Sequence, residues 1–222
     1  MKNKKSIYII TLILLVGIFV AVQNFMSKNP TLQQSTAAVH FIDVGQGDSI
    51  LISSDNYNVL IDGGDNNQGE TVVNYIKSQN INHLDAIIVS HPHADHIGGL
   101  DTVIKELSVE KIFMKKLPRS QTPTTKSYLD FLNAIKDKGL KITEIKSGAG
   151  FTMGNGYLTF VNSDKDFDDL NNQSAVVKFE YNSQSFLFTG DIEKQAEKAI
   201  LKSDISADVL KVAHHGSNTS TT

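Results

Sequence analysis

The 222-residue chain contains no cysteine. That excludes disulfides, thiolate metal sites and a lipid-modified cysteine anchor, and leaves nitrogen and oxygen donors for any metal. Charge of one sign is not in excess either. With 21 basic against 24 acidic residues there is no global attraction to nucleic acid or to an acidic membrane surface, so such contacts must be local. There are no internal repeats and no long low-complexity tract. The length suits one globular domain with a sizeable core, alone or with an appendage.

The appendage is at the start. Lys2, Lys4 and Lys5 precede an apolar core from Ile7 to Val22, near the lower limit of about 17 to 25 residues for a spanning helix. Residues 1–27 are therefore expected to be a membrane anchor or signal segment, with a polar linker over 28–37. Bulky residues replace a small-x-small cleavage site, which favours the anchor. Basic residues ahead of the segment put the remainder outside the cytoplasm. The expected location is the cell membrane with the domain extracellular, or secreted if the segment is cleaved.

From residue 38 onward the pattern alternates. "VHFIDVG", "SILIS" and "YNVLIDGG" are β-rich runs separated by turns, which implies adjacent antiparallel strands. "GETVVNYIKSQ" reads as a helix and "LDAIIVS" as a fully buried strand. Ile97, Leu100, Ile104 and Leu107 then recur at helical spacing. "KIFM" is a strand, and "KSYLDFLNAIKDKG" a helix with Leu129, Leu132 and Ile135 inward and Gly139 as its stop. "YLTFVN", "SAVVKFEYN" and "SFLFTGD" form a second run of strands, followed by a helix and the strand "DVLKVAHH". The fold class is α/β, sheets with helices packed outside. Lys115, Lys116 and Arg119 near a loop tip read as a solvated face.

The chemistry concentrates in "SHPHADHIGGL". Pro92 pushes His91 into extended backbone, so His91, His93 and Asp95 project to one side at period two, and His96 opens the next helix. Three imidazoles and a carboxylate at the end of a buried strand fit nitrogen and oxygen coordination of a borderline metal such as zinc.

"HPHADH" matches the H-x-H-x-D-H signature of the metallo-β-lactamase superfamily. "FIDVGQGDSILI", "LIDGGD", "SHPHADHIGGL", "FLFTGD" and "LKVAHHGS" follow in the order found in the hydrolase domain of ComEC/Rec2-type competence proteins, a resemblance that spans Val39 to Ser217. It implies a four-layer αβ/βα sandwich over residues 38–222, truncated at the C-terminus because family members continue past "HHGS". It also implies two divalent metal ions, Zn²⁺ or Mn²⁺. His91 and His93 would bind the first, Asp95 and His96 the second, and Asp191 would bridge them.

Asp62 would orient ligand imidazoles. Either His214 or His215 supplies the last ligand. A histidine directly before glycine favours His215, leaving His214 as proton donor, so Asp95, Asp191 and His214 are the catalytic candidates. The superfamily's further histidine is absent, since none occurs from residue 97 to 213, which shifts metal preference toward Mn²⁺. Asn172 or Ser174 can offer an oxygen there. Asp43, Gln46 and Asp48 in "DVGQGDS" are weaker candidates for contact with substrate or with the ligands, since the loop lacks the lysine and helix of a P-loop.

The resemblance implies hydrolysis by metal-activated water, with a phosphodiester, including DNA, as substrate and a link to DNA uptake. A cell-wall choline phosphodiester is the alternative substrate. A membrane-anchored binding protein with an incomplete metal site is the reading from a different class.

Overall fold

Period-two patterning at the start of the domain gives a meander. Strands β1 (Ala37–Phe41), β2 (Ile50–Ser54) and β3 (Tyr57–Ile61) pair antiparallel in that order. The computed structural model describes residues 36–222 together with Gly17. The expected membrane-targeting segment and most of the linker lie outside the described residues.

After helix α1 (Gly69–Ser78) the chain adds β4 (His83–Val89) parallel to β3. Two short helices, α2 (Ala94–Ile97) and α3 (Leu100–Glu106), lead to β5 (Ser108–Met114), and α4 (Lys126–Asp137) leads to β6 (Ile142–Glu144), both strands again parallel to their neighbours. Sheet order is β1-β2-β3-β4-β5-β6. Strand β4 is apolar on both faces because both are covered. Leu84, Ile87 and Val89 join the core beneath α1, α3 and α4, whereas Ala86 and Ile88 join the core beneath the second sheet.

That second sheet is built from β7 (Gly150–Met153), β8 (Gly156–Phe160), β9 (Val177–Tyr181) and β10 (Gln184–Phe188), all antiparallel. Helix α5 (Lys194–Ile200) then returns the chain to β11 (Val209–Lys211), parallel to β10 at the sheet edge. A third apolar cluster, with Val176, Leu187, Ile192, Ala196 and Ile200, seats α5 on the outer face. Phe179, wholly buried between the sheets, anchors the inter-sheet core, where truncation to alanine costs about 3–5 kcal/mol.

Two expectations are corrected. Helix α4 turns Tyr128, Phe131, Ala134 and Ile135 inward and leaves Leu129 exposed. Tyr128 and Phe131 pack into the core of the first sheet, and the buried face of the helix is centred on them and not on Leu129. Gly139 does end the helix, in left-handed backbone (φ 66°). Lys115 is buried: Nζ donates to Lys165 O (2.9 Å) and to Gln173 Oε1 (2.8 Å).

Candidate metal centre

Strands β3 and β4 run parallel, so their carboxyl ends open at one edge of the first sheet, and Asp62 and Ser90 follow them directly. Strands β10 and β11 are likewise parallel and end just before Asp191 and the two adjacent histidines. The candidate residues, from Asp62 to His215, are thus far apart in sequence and gathered at strand ends.

His91 is buried in extended chain, and its Nε2 lies 2.9 Å from His93 Nδ1, so this pair does share a side as expected. Asp95 does not continue that alternation. His93 is the N-cap of α2, and Asp95 and His96 belong to that helix. The helical turn brings His96 back under Asp191, with Nε2 3.1 Å from Asp191 Oδ2. Asp95, His96, Asp191 and His215 each present a donor atom within 4.8 Å of the others. His91 Nε2 approaches the same Asp191 oxygen to 3.8 Å.

Asp62 is fully buried in left-handed backbone (φ 58°). Its Oδ1 accepts from Ser90 N (2.8 Å), and its Oδ2 accepts from Ser90 Oγ (2.5 Å) and faces His96 Nδ1 (2.8 Å). It therefore holds the ring of His96 by one nitrogen while the other faces Asp191, the usual way a metal-binding imidazole is oriented.

His214 and His215 are not on a strand. Both are left-handed (φ 49° and 51°), a conformation that costs non-glycine residues about 1–2 kcal/mol each. The two rings consequently diverge by less than a strand would force, and both turn toward Asp191 Oδ2, His215 Nε2 at 3.3 Å and His214 Nε2 at 4.0 Å. His214 Nδ1 sits 3.2 Å from Glu193 Oε1, and Asn171 Nδ2 lies 3.5 Å from His214 Nε2.

The remaining candidates separate. Ser174 Oγ accepts from Asp191 N (3.1 Å) and so fixes the carboxylate's backbone. Asn172 points elsewhere: its Oδ1 accepts from Glu193 N (2.9 Å) and Ala196 N (3.1 Å), capping α5. Asp43 is exposed and closes its own turn by accepting from Gly45 N (3.1 Å), and Gln46 is exposed. Asp48 is buried beside the cluster, 3.6 Å from His215 Nδ1. Lys211, Ser90, Glu193 and Asn171 were not anticipated. A lysine inside the apolar run "DVLKVA" was the one available signal.

Electrostatically the cluster attracts positive charge. For His96, burial opposes the proton, but Asp191 and Asp62 outweigh it and hold the ring up at about 10. Burial pushes the Asp62 carboxyl up, so the buried pair keeps a proton between its members. Hydrogen bonds to Asp191 and Asp95 raise His215 to about 9. Burial opposes ionisation of Asp191, yet His215 and His96 hold its carboxyl far below the ordinary range. His91, buried and next to His96, is driven well below the ordinary imidazole range and stays neutral. Asp191 Oδ1 is buried with no hydrogen-bond partner among the described residues, an arrangement that normally costs about 1–3 kcal/mol or more. A divalent cation would satisfy that oxygen, and histidine nitrogens with carboxylate oxygens are a donor set that fits one.

Residues 42–222 match the Metallo-beta-lactamase superfamily. The chain is 31% identical over 208 residues to ComE operon protein 3 of Bacillus subtilis (84% of this chain, 26% of that protein). It is 30% identical over 200 residues to Recombination protein 2 of Haemophilus influenzae (86% and 23%). It thus spans about a quarter of the length of these relatives. Among solved structures it is similar to the metallo-beta-lactamase SMB-1 bound to 2-mercaptoethanesulfonate, with TM-score 0.58, 14% identity and coverage of 80% and 76% of the two chains. The Rm3 metallo-beta-lactamase gives TM-score 0.56 at 15% identity, covering 78% and 73%. With the fold and the sequence match in agreement, the chain belongs to the metallo-beta-lactamase superfamily, in a domain related to that of ComEC-type competence proteins.

Proposed function

We propose that this chain is a metal-dependent phosphodiesterase, held by its N-terminal segment with the domain outside the cytoplasm, and that DNA is among its substrates. The observation that carries the reading is Asp191, a buried carboxylate whose Oδ2 faces His91, His96, His214 and His215 while its Oδ1 is buried with no hydrogen-bond partner among the described residues. The relative named for recombination supports a nucleic acid over a β-lactam.

On this reading Asp95, His96 and His215 would hold one cation and His91 and His93 the other, with Asp191 shared between them. Bound divalent cations there would supply a water of lowered pKa and charge stabilisation for a phosphoryl oxygen. The chain's residues do the rest. Asp62 and Ser90 fix His96. Ser174 fixes Asp191. His214, with Glu193 at Nδ1, turns Nε2 toward Asp191 Oδ2 (4.0 Å), from where it can carry a proton to the leaving oxygen.

The test compares bis-p-nitrophenyl phosphate, single-stranded and duplex DNA, a choline phosphodiester and a β-lactam, each with Zn²⁺ and with Mn²⁺. Turnover of the phosphodiesters with DNA cleavage is expected. Cleavage of the β-lactam alone would refute the substrate class. Protease added to wall-stripped cells tests the location: digestion of the domain is expected, and full protection contradicts it.

A further inference from the structure

We infer that Lys211 is a positioning residue of the metal centre, acting through a buried ion pair with Asp48 that fixes the ring of His215. The inference rests on reading the cluster as a metal centre. Lys211 is the last residue of β11, and its side chain is only 11% exposed. Its Nζ lies 2.6 Å from Asp48 Oδ2, whose side chain is 8% exposed, and also donates to Gly190 O (3.4 Å), the carbonyl just before Asp191. One ammonium thereby ties together the loops that carry Asp48, Asp191 and His215.

The other oxygen of Asp48 does the orienting. Oδ1 is 3.6 Å from His215 Nδ1, while His215 Nε2 faces Asp95 Oδ2 (3.4 Å) and Asp191 Oδ2 (3.3 Å). A carboxylate behind one ring nitrogen fixes the nitrogen presented to a metal. The His215 backbone is left-handed, and its side chain, 23% exposed with the ring beside that of His96, has Asp48 as the carboxylate behind Nδ1.

Asp48 alone is not committed to that task. Its Oδ2 lies 4.0 Å from His96 Nδ1, and Asp48, Asp62 and His96 bring donor atoms within 4.8 Å of one another. An unpaired Asp48 can rotate toward that group or draw a cation into it. Lys211 occupies Oδ2 and leaves Oδ1 for His215. The same pairing explains the glycine-rich "GQGD". Gly47 (φ 124°) passes so close that a Cβ would stand 2.3 Å from Asp95 O, and Asp48 N donates to that carbonyl (3.2 Å). The tight approach delivers Asp48 under the ligand loop.

The test titrates Mn²⁺ and Zn²⁺ separately into the full-length chain in detergent, as wild type, K211M, K211R, D48N and D48N/K211M, and melts each protein free of metal. K211M should bind either ion about 10- to 100-fold more weakly, and K211R, which returns a cation to the same place, should recover most of the loss. Breaking one side of a buried pair destabilises the fold, whereas removing both sides is often neutral. D48N/K211M should therefore regain the metal-free melting temperature and not the metal affinity. If the double variant melts and binds metal as wild type does, the pair is only a structural strut and the inference is overturned. A wild-type chain that takes up neither ion overturns the metal-centre reading, and this inference falls with it.

Discussion

Asp62 and His96 meet at 2.8 Å with both side chains closed off from solvent, and the nitrogen of His96 that is not so engaged faces Asp191. The pair links the first sheet to the carboxylate delivered by the second. Replacing Asp62 tests whether that link serves the metal. Asp62→Asn keeps the size and tolerates the left-handed backbone, as asparagine commonly does, but it removes the charge behind His96. The fold should survive, and metal affinity measured by competition with a chelating dye should fall about 10- to 100-fold. Unchanged affinity in a folded Asp62→Asn protein would show that the buried aspartate does not serve the ligands.

The raised histidines set a pH dependence with a definite sign. In metal-free protein His96 is held at about 10 and His215 at about 9, against an ordinary value near 6.5 in the unfolded chain. Their contribution to stability is fully present below about pH 6.5 and is lost as pH rises through about 9 to 10. Metal binding must displace those protons. Metal affinity should therefore keep rising between pH 7 and 9, and calorimetry in buffers of different ionisation heat should detect proton release at pH 8. A metal affinity that levels off above about pH 7 contradicts this.

His93 and His91 should respond differently to alanine. His93 is half-buried at the mouth of a short helix, and His91 is buried. His93→Ala should leave the metal-free melting temperature nearly unchanged and lower the metal content found by elemental analysis to about one ion per chain. His91→Ala should lower both, because it also opens a cavity.

Asn172→Ala should act on stability alone. Its side chain accepts from two backbone N–H groups at the start of α5, and loss of such a cap costs about 0.5–2 kcal/mol. Urea unfolding should show that loss while metal content per folded chain is unchanged. A drop in metal content would return Asn172 to the site.

The sequence was most legible where one segment carries its own geometry. "HPHADH" supplies four candidate ligands in six residues, and Pro92 dictates the extended start. "FLFTGD" is legible as a strand end because glycine precedes the aspartate. Legibility failed where conformation depends on distant contacts. Nothing in "AHHGS" shows that two consecutive histidines adopt left-handed backbone, since L-residues avoid it unless the surrounding fold compels it. Lys211 hides in an apolar strand because its partner, Asp48, lies more than 160 residues earlier. Asn172 and Asn171 are adjacent and alike, and only the placement of α5 decides that the first caps a helix while the second faces His214. Leu129 fits the helical period as well as Phe131 does, and only the packing of the helix on the sheet buries one and exposes the other.

The central claim is that a charged, metal-engaged Asp191 carries phosphodiester hydrolysis. The most direct measurement is turnover of bis-p-nitrophenyl phosphate by Asp191→Asn beside wild type, both stripped with chelator and reloaded with Mn²⁺ or Zn²⁺, with bound metal quantified in the same samples. Asparagine keeps the shape and removes the negative charge. Wild-type activity should vanish on stripping and return on reloading, and the variant should lose about a thousandfold or more, equivalent to about 4 kcal/mol of transition-state stabilisation. Asp191→Asn turning over at the wild-type rate, or full activity in stripped wild type, would contradict it.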